Sequence, residues 1–109
     1  MSKPRYPWWP YAKAMVKMYP QLSNGVSQLP LARQREYEAV RQAIAATERM
    51  TAGRDRLRVI DLVFWKQSHN LEGAALTIPC SYRTARRYHS EFIRLVGFCY
   101  GLEDAAKTG

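Results

Sequence analysis

Residues 71–98 read LEGAALTIPCSYRTARRYHSEFIRLVGF, and this stretch decides the fold. Asn70, just ahead of it, is a good N-cap for a short helix over residues 71–76. Thr77-Ile78-Pro79-Cys80 then predicts a tight turn, because a proline disfavours helix at the residue before it. Ser81 is a good cap for a second, longer helix over residues 82–98. On a wheel of about 100° per residue, Ala85, Tyr88, Phe92, Leu95, Val96 and Cys99 share one arc. Arg83, Arg86, Arg87, Ser90 and Arg94 share the opposite arc, with Glu91 as the nearby acid. One face is built to pack and the other presents guanidinium groups. A short helix, a tight turn and a longer Arg-faced helix make a helix-turn-helix plan. Ala75 and Ala85 are small where two helices must approach, and Ile78 and Cys80 can plug the gap between them. Pro79 stands where such turns usually place glycine, which favours a different turn geometry.

The rest of the chain also reads as helix. Alternating apolar and polar runs are absent, so the expected class is all-α, a small helical bundle ending in the helix-turn-helix unit. Residues 54–66 are apolar nearly all round (Leu57, Val59, Ile60, Leu62, Val63, Phe64 and Trp65), which predicts the central helix. Residues 31–50 predict a helix with a narrow stripe of Tyr37, Val40 and Ile44, mostly solvated and free to reach toward a partner. Residues 9–19 predict a first helix. Pro10 suits its first turn, Trp8, Ala12, Met15 and Tyr19 share a face, and Lys13 and Lys17 lie opposite. Pro20 is expected to end it, and residues 20–30 to form a linker. The expected organisation is an N-terminal helical arm over residues 1–50, a DNA-binding domain over 54–98 and a flexible tail over 99–109.

Composition narrows the function. The chain has 109 residues, with 17 Lys and Arg against 9 Asp and Glu, a net charge of +8. That length holds one domain or a domain with an arm, not a two-lobed enzyme. With 47% hydrophobic residues it is not a disordered basic tail. A folded basic domain points to a polyanion, most often nucleic acid. The charge is concentrated: residues 31–58 carry seven arginines against four acids, and residues 80–97 carry four against one. No run approaches the roughly 18 apolar residues of a membrane span. The start lacks the apolar core of a secretory signal, so a cytoplasmic location is expected. Cys80, Cys99, His69 and His89 show no recurring ligand spacing, so neither a metal nor another cofactor is expected. Asp61 and Glu72 have no nucleophile and orienting partner nearby in sequence, so no catalytic residue is assigned and an enzyme is not expected.

Position suggests roles. Tyr82, Arg83, Arg86 and Arg87 are the base-reading candidates, since Arg bidentate to guanine is the commonest specific contact. Lys66, His69, Ser81, Thr84, Ser90 and Arg94 are the phosphate candidates, which fix register without reading sequence. The bland alternatives are a solvated Arg face on an ordinary bundle helix, a packing contact for Tyr82 and a plain turn residue for His69. Trp8, Trp9, Tyr11, Met15 and Tyr19 are expected to pack on the third helix, the other reading being a docking surface. Lys3, Arg5, Lys13 and Lys17 fit either a solvated face or a second phosphate-contacting strip.

Several stretches resemble small phage and prophage proteins of the RinA/ArpU group. They are Pro7-Trp8-Trp9, Met18-Tyr19-Pro20, Arg35-Glu36-Tyr37-Glu38-Ala39-Val40, Leu57-x-x-Ile60-Asp61-x-Val63-Phe64-Trp65-Lys66, residues 71–76 and residues 81–87. The likeness covers most of the chain and is strongest over residues 54–98. It implies a late-gene transcriptional regulator whose C-terminal domain is similar to region 4 of sigma-70 factors. Pro79 and the small Ala74 depart from that pattern. The expected partner is double-stranded DNA, with RNA polymerase and a second copy of the chain as further partners and no membrane. The alternatives are a DNA-packaging protein of the small-terminase kind and an antiterminator-type factor that docks on RNA polymerase.

Overall fold

Asn70 and Ser81 each sit immediately before a helix and satisfy its first free N–H groups. Asn70 Oδ1 accepts from the Gly73 N–H at 2.8 Å, and Ser81 Oγ accepts from the Thr84 N–H at 3.0 Å. A computed structural model describes residues 6–102; residues 1–5 and 103–109 lie outside the described part. Lys3, Arg5 and most of the expected tail fall there. The described residues form α1 (Trp9–Leu22), α2 (Leu31–Glu48), α3 (Gly53–Ile60), α4 (Leu71–Thr77) and α5 (Tyr82–Tyr100). A 3-10 turn spans Val26–Gln28, a π-helical turn spans Asp61–Trp65, and no strand occurs among these residues. The class is all-α, as the periodicity predicts.

Contacts divide the chain otherwise than into arm, domain and tail. Within the described part, residues 6–43 group with 93–102, and residues 44–92 form the second unit. The N-terminal segment thus shares its unit with the end of α5, and residues 99 and 100 are helical rather than tail.

In the first unit, Ala12, Met15, Val16 and Leu22 of α1 are buried, as are Ala39, Val40 and Ala43 of α2 and Ile93 and Val96 of α5. The aromatic residues expected on the third helix make their described contacts inside this unit. Tyr19 stacks on Tyr37 with ring centroids 5.1 Å apart, and Tyr11 meets Tyr100 edge-on. The Trp8 indole covers Gly97, so closely that a Cβ there would stand 2.3 Å from Trp8 Cζ3. Gly97→Ala must therefore push the indole off α5, and we expect a loss of about 1–2 kcal/mol with a red-shifted tryptophan emission. An unchanged denaturation midpoint and spectrum would show that Trp8 does not hold this position.

Three features of the helices differ from expectation. Pro20 lies inside α1, which runs on to Leu22. A proline inside a helix forfeits its own N–H bond and crowds the carbonyl four residues back, but only two helical residues follow Pro20, and one of them, Leu22, is buried. Ser23 closes the end, its N–H donating to Tyr19 O at 3.0 Å and its hydroxyl to Pro20 O at 2.7 Å. The buried stripe of α2 is Glu36, Ala39, Val40, Ala43 and Thr47, a helical spacing set beside the expected one. Small alanines carry it because close helix approach needs little side-chain volume. Glu36 is only 4% exposed: it accepts from the Tyr11 hydroxyl and pairs with Arg33 at 2.7 Å. Desolvation of the Tyr11 hydroxyl, then its bonds to Glu36 and Tyr100, hold that phenol well above the usual tyrosine range.

The third difference is in the central helix. The α-helix stops at Ile60 and the chain widens into the π turn. The Lys66 N–H reaches Asp61 O at 2.7 Å, and Lys66 Nζ pairs with Asp61 Oδ2 at 2.8 Å, so one pair is joined twice across the turn. Leu62-Val63-Phe64-Trp65 is apolar throughout, so its pattern cannot separate a five-residue π turn from an α turn. α5 ends at Gly101, whose φ of 94° suits glycine. The Gly101 N–H bonds to Phe98 O at 3.0 Å and the Leu102 N–H to Gly97 O at 2.8 Å, the two bonds of a Schellman cap.

Candidate nucleic-acid interface

The second unit builds its surface from the inside. Val59, Leu62, Ala74, Ala75, Ile78, Ala85 and Tyr88 form one buried cluster, with Val63, Leu71 and Cys80 packed against it. α3, the π turn and α4 touch one another, and Ile78 and Cys80 fill the turn before α5. Ala75 and Ala85 are buried where small residues were expected. Because Ala85 and Tyr88 face this cluster, the residues on the opposite arc of the wheel must face outward. Those residues are Arg83, Arg86, Arg87 and Ser90, and all four are exposed.

Together with Thr84, these four line an open groove of about 380 Å³ on the first turns of α5. Tyr82 is 46% exposed at the helix start. The Arg86 guanidinium lies over the Tyr82 ring, 5.9 Å from its centroid. Ser81 joins the group through Thr84, its hydroxyl donating to Thr84 Oγ1 at 2.9 Å. Five of the ten sequence-assigned residues thus line one groove, and Tyr82 and Ser81 adjoin it. Neither Arg83 nor Arg86 has a carboxylate partner among the described residues. No acid stands in the first turn of α5. Cations there oppose the positive end of the helix dipole, an arrangement that a bound anion relieves.

The other three lie elsewhere. Lys66 is engaged with Asp61 at the π turn. His69 Nδ1 is 2.7 Å from Ser68 Oγ, just before α4. Arg94 belongs to the first unit, where its guanidinium lies over the Tyr6 ring at 5.5 Å.

Sequence reasoning missed one contributor. Arg56 of α3 donates to Glu91 Oε1 at 2.6 Å and to the Thr51 carbonyl at 3.0 Å, and it covers the Tyr88 ring at 4.8 Å. Nothing local signals a contact between positions 35 apart. Among the described residues no group of three or more His, Cys, Asp or Glu side chains could hold a metal ion. No described helix is long and apolar enough to cross a membrane. No protein-family model, no curated protein and no solved structure matches this chain.

Proposed function

We propose that this chain is a sequence-specific, double-stranded-DNA-binding transcriptional regulator that acts without catalysis and reads the major groove with the N-terminal half of α5. The observation that carries this reading is the groove of Arg83, Arg86 and Arg87 with Thr84 and Ser90, backed by a packed cluster. A major groove about 12 Å wide admits one α-helix, and the planar fork of arginine matches both phosphate and the guanine edge. In a helix-turn-helix, the second helix enters by its N-terminal residues while the first lies across the backbone. α4, the turn at Ile78 and Cys80, and α5 have the lengths and the small packing residues for that arrangement. The resemblance to the RinA/ArpU group supports late phage or prophage genes as the target, with RNA polymerase as a second partner.

Salt tests the electrostatic half of the proposal. Each phosphate that the basic surface neutralises should add about −0.9 to the slope of log K against log salt, so a clearly negative slope is expected. Fluorescence anisotropy on a labelled duplex over a salt series measures it. A slope near zero would overturn phosphate contact as the basis of binding.

A further inference from the structure

The three groove arginines are not held alike. Arg83 has no described partner, and Arg86 rests on an exposed ring. Arg87 is braced on two sides. Its guanidinium lies over the Tyr88 ring at 5.6 Å, and its Nε is 3.9 Å from Glu91 Oε2. Tyr88 is 8% exposed and belongs to the buried cluster, so its ring is a fixed surface. Glu91 is fixed as well, because its other oxygen accepts from Arg56 at 2.6 Å. Arg56 is anchored in turn: its side chain is 17% exposed, its Nε donates to the Thr51 carbonyl, and its guanidinium covers Tyr88 at 4.8 Å. One carboxylate thus bridges a half-buried arginine and a groove arginine, and one aromatic ring lies beneath both.

We propose that Arg56 and Glu91 are a positioning pair that fixes the direction of Arg87, making Arg87 the specificity-determining side chain that reads a guanine edge; the base-reading half rests on the function proposed above. A free arginine samples many rotamers and satisfies any phosphate within reach. A braced one favours one direction of its fork over others, which an oriented base edge rewards and a phosphate does not. Glu91, half exposed and 3.9 Å from Arg87, also puts a negative charge beside the groove, which penalises loose phosphate contact near Arg87. The pair therefore trades general affinity for discrimination.

The test uses the full chain with two readouts. Nitrogen-15 relaxation of the Arg87 Nε–H in the free protein measures bracing without DNA. The ratio of nonspecific to specific Kd, on a duplex selected from a random pool, measures discrimination. Arg56→Ala and Glu91→Gln should each mobilise Arg87 and lower that ratio about fivefold to tenfold, with Glu91→Gln also tightening nonspecific binding. In an Arg87→Ala background the same substitutions should change the ratio less than twofold, because interacting sites are not additive. Glu91→Gln guards against a failure of Arg56→Ala to fold, since it is exposed and nearly isosteric. Unchanged Arg87 dynamics in Glu91→Gln, or full additivity with Arg87→Ala, overturns the proposal. A wild-type chain that selects no sequence while Arg87 stays braced overturns the DNA-reading function and the base-reading half with it, and leaves the positioning pair standing.

Discussion

Arg86→Ala together with Arg87→Ala is expected to abolish sequence-specific duplex binding while the fold survives. A good bidentate contact to a base contributes about 1–3 kcal/mol of discrimination. Losing two removes about 2–6 kcal/mol, roughly 30-fold to 10⁴-fold in specific affinity. Both side chains are exposed, and alanine is the better helix former. The one ion pair lost, Arg87 with Glu91, spans 3.9 Å and is more than half exposed on the arginine side. Such a pair contributes under about 1 kcal/mol. The double variant should therefore keep its circular dichroism and most of its thermal stability, with only weak, salt-sensitive DNA binding left. Specific binding equal to wild type in a folded double variant would remove the groove from the account.

The second large effect is structural. Gly53→Ala should destabilise the chain by about 2–3 kcal/mol, as expected for a badly overpacked position. A Cβ at Gly53 would stand 2.5 Å from the Thr47 carbonyl oxygen and 2.9 Å from that of Glu48. Both are backbone atoms at the end of α2, so neither can rotate away. Ala52, just before, already occupies the left-handed region at φ 60°, which limits how the connection can adjust. α3 must shift, and with it Val59 of the buried cluster behind α5. For a domain of this size the loss corresponds to roughly 10–20 °C in Tm. DNA binding measured well below the new Tm should fall too, because the cluster sets the direction of the groove. A Tm within about 2 °C of wild type would show that α2 and α3 do not approach this closely.

What could be read from the sequence was local. Asn70 and Ser81 announce their helices because a cap acts within three residues of itself. Ala75, Ile78 and Ala85 could be placed because one turn and a 3.6-residue period fix which way each points. The outward set on α5 follows from the same period. What could not be read depends on distant residues or on volume. Glu36 scores as a solvent residue on any wheel, and only Tyr11 and Arg33 explain its burial. The α2 stripe was misplaced because bulky Tyr37 and Ile44 outweigh Ala39 and Ala43 in a hydrophobic pattern, while close packing prefers the small ones. Gly53 carries no local sign of its constraint, which is two carbonyl oxygens five and six residues back. Pro20 fails as a stop because Leu22 gains burial beyond it. The link from Arg56 to Glu91 has no sequence signature at all, and it is what distinguishes Arg87 from its neighbours.

The central claim is that the arginine groove at the start of α5 reads sequence in duplex DNA. Selection of the full-length chain against a pool of random duplexes, at near-physiological salt, tests it most directly. The account predicts enrichment of one common motif with guanines at fixed positions, and loss of that enrichment for the Arg86→Ala, Arg87→Ala variant. A pool that stays random after repeated rounds, or the same motif selected by the double variant, would contradict it.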